Sequence, residues 1–249
     1  MDARPPLPCP TLQFNYGDET ITVERVARSP ASRILIKVHP DCRVVVAAPV
    51  AADAATVLHA LKKCSRWIYT QLRTFRQQLA YITPRQYISG ESHYYLGKQY
   101  LLKVIVAPVA LPSVKLLRGR LEVTSPSPNA ETVKALLIAW YKTRAKAVFS
   151  QRLDALLEQT LWVTTQPPLR IAPMQTQWGS CSPQGLITLN PHLVKASREC
   201  IDYVILHELC HLAEHNHSER FYRLLHQVMP TWEQTKTRLD NMASSFITT

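Results

Sequence analysis

No apolar run in this chain approaches the ~20 residues a helix needs to cross a bilayer, which argues against a membrane protein. The opening stretch Met1-Asp2-Ala3-Arg4-Pro5-Pro6 lacks the apolar segment of a secretory signal. It reads as a disordered lead-in over residues 1–15. Paired cysteines are missing as well. Cys9, Cys42, Cys64, Cys181, Cys200 and Cys210 are scattered with no C-x-x-C spacing, as expected of reduced thiols in a cytoplasm rather than of a disulfide framework. Acidic side chains are few, 18 against 29 Lys and Arg, for a formal net charge of +11. Residues 166–249 hold seven of each sign, so the whole surplus lies in residues 1–165. A basic region joined to a neutral one points to an anionic partner: nucleic acid, nucleotide or acidic protein. A solvated basic surface is the plainer reading.

What is present begins with a hydrophobic share of 46%, enough for a substantial core. Residues 34–38 and 43–49 alternate β-branched side chains about a turn at His39-Pro40-Asp41, then lead to a helix with Asp53 as N-cap. Residues 114–117 and 120–126, turned near Gly119, repeat this plan before a helix capped by Asn129 and running to about Glu158. The expectation is an α+β chain whose β-rich N-terminal part carries duplicated ββα units. Between the two units, residues 94–104 read as a hairpin turned at Gly97-Lys98. In the first helix, Val57, Leu61, Cys64, Ile68, Leu72, Phe75 and Leu79 make one continuous apolar stripe. Lys62, Arg66, Arg73 and Arg76 share a neighbouring face, which either tracks phosphates or is a solvated flank. Pro167-Pro168 marks a boundary, giving a basic α+β region over 16–165 and a catalytic domain over 166–249.

The run His207-Glu208-Leu209-Cys210-His211 carries the chemistry. Helical positions i and i+4 share one face, so His207 and His211 can point imidazole nitrogens at one ion. Zinc in a catalytic site keeps three protein ligands and one open position. Glu208, beside the first ligand, is placed to take a proton from water at the metal. For the third ligand, His215 is i+4 from His211 but ~12 Å along the axis from His207 on a continuous helix, too far to share the ion. A left-handed helix terminus at Asn216 would let His217 swing back. Glu214 is the weaker candidate. Ile201, Val204, Ile205, Leu209 and Leu212 make an apolar stripe beneath the motif, so a half-buried helix is expected, with Ser197 as its N-cap. His39, His59, His93, His192 and His226 read as polar surface or capping residues.

With W-G-S-C-S at 178–182, L-N at 189–190, H-E-L-C-H at 207–211 and N-H-S-x-x-F at 216–221, the chain resembles the YgjP-like metallopeptidase family, relatives of the SprT and Spartan zinc proteases. The segment 90–100, Asp202-Tyr203-Val204 and Met229-Pro230 extend the resemblance over nearly the full length. It implies a minimal zincin-like domain from about residue 165, with His207, His211 and His217 as Zn2+ ligands and Glu208 as base. Gln177 departs from the Arg that many members carry before the Trp, which puts substrate preference in question.

Near the metal, Gln177, Trp178, Gly179 and Asn190 are the candidate substrate-binding residues. An edge strand there can pair with an extended substrate, and Gly179 permits close backbone approach. Trp178 reads alternatively as core, and Cys181 and Cys210 as buried packing residues. The leading function is a zinc metallopeptidase acting on a peptide or protein. The alternatives are a nucleoside triphosphate pyrophosphatase, an activity on uridine triphosphate having been attributed within the family, and a nucleic-acid-associated protein with structural zinc. Few carboxylates near the site argue against the first alternative. The intact Glu208 argues against the second.

Overall fold

The computed structural model describes residues 11–28, 34–39, 41–80, 85–174 and 177–247. Most of the expected lead-in, the Pro40 turn position, the Leu79 side chain and the Gln175-Thr176 pair lie outside them. The chain divides into two compact units, Met1–Thr83 and Pro84–Thr249. Contacts define this division, whereas the partition at residue 165 followed charge and motif.

The first unit opens with β1 (Thr11–Tyr16), which begins inside the stretch read as a lead-in, and β2 (Glu19–Arg28). β3 (Leu35–Val38) and β4 (Val44–Pro49) then form the expected hairpin. The sheet order is β1-β2-β4-β3, with β2 and β4 parallel. Two helices follow, α1 (Ala54–Lys63) and α2 (Ser65–Ala80). Asp53 caps α1, its carboxylate accepting from Thr56 N at 2.8 Å. Val57, Leu61, Ile68 and Leu72 pack on Phe14, Val23, Val44 and Val46 of the sheet. The single helix expected here is broken at Cys64, yet the break keeps the apolar stripe in phase across both pieces. Arg66 and Arg73 are exposed, and Arg76 is ion-paired with Glu19. His39, expected at the surface, is buried.

The second unit starts with β5 (Ser92–Tyr95), β6 (Lys98–Val106), β7 (Ser113–Leu117) and β8 (Arg120–Ser125). Their order, β5-β6-β8-β7, and their pairing, hairpin, parallel, hairpin, match those of the first sheet. Asn129 caps the long α3 (Ala130–Leu157), which buries Val133, Leu137, Tyr141, Ala145, Phe149 and Leu153 at four-residue spacing. Its first half packs on Leu121 and Val123 of the sheet, and its second half joins the core around the motif helix. The turn between β5 and β6 uses Leu96 and Gly97, both with positive φ. The Gly97 N–H donates to Lys195 O at 3.0 Å, and a Cβ on Gly97 would lie 3.0 Å from Ser197, so the turn seats against the segment that starts the motif helix.

A three-stranded sheet, order β10-β11-β9, completes the site scaffold: β9 (Leu169–Ile171), β10 (Gly179–Cys181) and β11 (Ile187–Leu189). A 3-10 turn (Pro191–Lys195) leads to α4 (Arg198–Ala213), α5 (Glu219–Val228) and α6 (Trp232–Ile247). The fold is thus mixed α and β, as expected. No helix among the described residues is long and apolar enough to cross a membrane.

Candidate metal centre

The helix that carries the motif is held from several directions. Ser197 caps α4 by accepting from Cys200 N at 3.3 Å. Arg152 on α3 makes a bidentate pair with Asp202, at 2.7 and 2.9 Å. Trp162 Nε1 donates to Leu209 O at 2.9 Å. Cys200, Ile201, Tyr203, Val204, Ile205, Leu206, Leu209 and Cys210 are all buried, so α4 is an interior helix rather than a half-buried one. A ligand set on such a helix is preorganised, because its backbone cannot drift.

His207 and His211 lie side by side, ring centroids 5.0 Å apart. The chain then leaves the helix differently from the expectation. Asn216 does not take a left-handed conformation. Instead Glu214 is extended, φ −144° and ψ 104°, while its N–H still donates to Cys210 O at 2.9 Å. The turn returns His217 to within 3.0 Å of His207, Nε2 to Nε2. Glu214 also contributes its carbonyl, 3.1 Å from His211 Nδ1. A carbonyl only accepts, so His211 Nδ1 carries the proton and Nε2 keeps its lone pair for a metal. His207 Nδ1 is buried and has no hydrogen-bond partner among the described residues.

Ligand nitrogens of His207, His211 and His217 all lie within 4.8 Å of one another. His215 is exposed and Glu214 supplies backbone only, so neither joins this cluster. Burial, followed by the neighbouring His211 and His217, pulls His207 down to about 3, and burial lowers His211 as well. Both are therefore neutral at ordinary pH, the form that binds a metal. Three imidazoles with converging nitrogens fit a divalent ion such as zinc. Beneath them sits Phe221, fully buried, with its ring 4.6–4.9 Å from all three imidazole rings. Sequence reasoning noted this Phe only as part of a motif. Its place four residues after His217 gave no sign that it forms the floor, although Ser218, which accepts from Phe221 N at 3.3 Å, fixes the local turn.

Glu208 is 4% exposed and faces β10. A Cβ on Gly179 would come 2.6 Å from Glu208 Oε1, so only glycine lets the strand approach. Burial pushes the Glu208 carboxyl up to about 8. The candidate substrate residues divide. Gln177 is exposed beside the site strand. Trp178 is half-buried and packs edge-on against Phe246, the core alternative of its two readings. Asn190 is buried and committed: its amide donates to Met174 O at 2.8 Å and Gln177 O at 3.3 Å, and its Oδ1 accepts from His192 N at 3.1 Å. Its side chain positions the strand entering the site instead of offering a free group to substrate. Cys181 is half-buried and Cys210 buried, with thiols pushed up to about 11 and about 12 by burial and then by Glu208, as packing residues would be. His93 and His192, read as surface residues, are buried or half-buried.

The family model described as YgjP-like, metallopeptidase domain, matches residues 32–242. Among solved structures, the metallopeptidase zymogen of Pyrococcus abyssi abylysin is 26% identical over 40% of this chain and 92% of its own, with a TM-score of 0.32. The zymogen of Methanocaldococcus jannaschii jannalysin is 22% identical over 40% and 96%, with a TM-score of 0.33. No curated protein matches the chain.

Proposed function

Because this chain belongs to the YgjP-like metallopeptidase family, we propose that it hydrolyses peptide bonds with a zinc ion held by His207, His211 and His217. The observation that carries the reading is the convergence of three imidazoles beside a buried carboxylate. When bound, zinc supplies Lewis acidity to a scissile carbonyl and makes water acidic enough to attack near neutral pH.

The chain's own residues do the rest. Glu208 takes the proton from the attacking water and passes it to the leaving amine. Burial alone favours its neutral form, and a neighbouring cation favours the ionised form a base needs. Gly179 holds β10 against Glu208, and β10 is the end strand of its sheet. An extended peptide can therefore add along that edge, its backbone paired and its side chains largely unread. Gln177, exposed just before this strand, would contact such a substrate.

The five described cysteines are free, in keeping with a reducing cytoplasm. The shared strand order of the two sheets supports a duplicated ββα unit. The exposed Lys62, Arg66 and Arg73 support an anionic partner for the basic region. The test of the main reading is metal analysis of the purified protein, then parallel assays on a peptide library and on uridine triphosphate. Near-stoichiometric zinc with peptide cleavage is expected. Cleavage of the triphosphate alone would replace the peptidase reading with the pyrophosphatase one.

A further inference from the structure

A second polar assembly lies in the same compact unit, built from residues outside the metal centre. Glu91, in the segment before β5, gathers three donors: Gln86 N at 2.9 Å, Tyr87 N at 3.0 Å and His93 Nε2 at 3.1 Å. Arg85 Nη1 donates to Ser92 O at 2.7 Å. These bonds hold Tyr87 at φ 57°, a left-handed conformation that costs a bulky residue energy and persists only where its surroundings over-determine it. The strained tyrosine lines a cavity of about 210 Å³, walled by Leu137 of α3, Pro173 and Pro191, with His192 on the same lining and Lys142 at an exposed position.

Two lining atoms are buried without a hydrogen-bond partner among the described residues: Tyr87 Oη, on a side chain only 6% exposed, and His192 Nδ1. A third lining group, Tyr141 Oη, is already spent, donating to Tyr94 O at 2.7 Å. An unpaired buried hydroxyl and imidazole nitrogen are costly, so each calls for a partner. A ligand hydroxyl that accepts from Tyr87 and donates to a neutral His192 would meet both needs. The apolar walls suit a ring. A dry cavity of roughly 150 Å³ already takes benzene, so this volume holds one ring with small substituents. The charge around it is mostly positive. Lys142 lines it, Lys134 Nζ stands 5.8 Å from the Tyr87 ring, and Arg85 bonds the His93 ring, against Glu91 and Glu131.

We propose that this cavity is a binding site for a small single-ring aromatic carboxylate bearing a hydroxyl, with the hydroxyl between Tyr87 and His192 and the carboxylate toward Lys142. The site is separate from the proposed catalytic centre and does not depend on its metal.

Calorimetric titration of the full chain with 4-hydroxybenzoate, benzoate and phenol tests it. Binding of 4-hydroxybenzoate should be about tenfold tighter than that of either fragment, the scale of one hydrogen bond or charge contact. Tyr87→Phe should weaken it about tenfold, to the benzoate level. The melting temperature of the free variant should not fall, because the deleted hydroxyl has no protein partner. Ile138→Trp, at a half-exposed lining position, should abolish binding. Affinity should persist after the metal is stripped with chelator. Absence of binding, undiminished affinity in Tyr87→Phe, or loss of binding with the metal would each overturn the proposal. The last would assign the carboxylate to the metal.

Discussion

Gly179 and Glu208 touch so closely that a methyl group on the glycine would overlap the carboxylate, at 2.6 Å from Oε1 and 2.9 Å from Cγ. The strand and the Glu208 carboxylate are thus placed by one contact. Gly179→Ala must push the Glu208 carboxylate aside or move β10. Misplacement by about 1 Å costs on the order of 10²-fold in rate. The expected result is a loss of peptide cleavage of that size with zinc content unchanged, read by kinetics and metal analysis on the same preparation. An alanine variant as active as the parent would mean that this contact does not position the base.

The ligand set predicts a pattern of metal retention. His207→Ala, His211→Ala and His217→Ala should each lose zinc, measured by atomic emission after dialysis. His215→Ala should keep it, its side chain lying outside the cluster. Glu214→Ala should also keep it, since the contact with His211 comes from the Glu214 backbone carbonyl, which alanine retains. Zinc loss in Glu214→Ala with retention in His217→Ala would exchange the third ligand.

Much of this was legible locally. Asp53, Asn129 and Ser197 cap the helices they were read to cap, because N-cap chemistry involves a side chain and an N–H two or three residues away. The two histidines on one helical turn needed only helix geometry. What failed depended on distant packing. The break at Cys64 leaves the apolar spacing intact, so periodicity passes over it. The exit from α4 was assigned to Asn216 from its tolerance of left-handed backbone. The chain reaches the same end through an extended Glu214, whose carbonyl is taken by His211. Gly179 was read as a close-approach residue, but its neighbour Glu208 is 29 positions away and belongs to another element. Spacing along the chain gave no sign of that pairing.

Lys195 makes the clearest pH prediction. Its Nζ is buried, donates to Phe246 O at 2.6 Å and lies 5.1 Å from the Tyr141 ring. Burial, then Arg85, lowers it from 10.5 to about 7. Between those values the unfolded chain holds a proton that the folded chain has released, so stability rises with pH across about 7 to 10.5. Below that window the charged form is buried at a fixed cost. Urea unfolding at pH 7 and pH 10 should show the parent gaining more stability than Lys195→Met. Equal gains would show that Lys195 is not the group responsible.

The basic face of α1 and α2 is narrower than its sequence implied, since Arg76 is engaged by Glu19. If the face meets an anionic partner, Arg66→Glu with Arg73→Glu should weaken binding to a single-stranded DNA probe. Binding of the parent should fall steeply with salt, because neutralised phosphates release counterions. Arg76→Glu should act chiefly by breaking its ion pair, worth about 0–1 kcal/mol at such exposure. Affinity indifferent to salt or to the double reversal would leave this face a solvated flank.

The central claim is that Glu208 is the base of a hydrolysis conducted at His207, His211 and His217, and Glu208→Gln tests it most directly. An amide of the same shape fits beside Gly179 but accepts no proton. Zinc-loaded Glu208→Gln, assayed against the parent on one cleaved peptide, should keep the parent's zinc stoichiometry and melting curve. Its turnover should fall by roughly 10²–10⁴-fold, the usual contribution of a positioned general base. Turnover equal to the parent's, with zinc bound in both, would contradict the account.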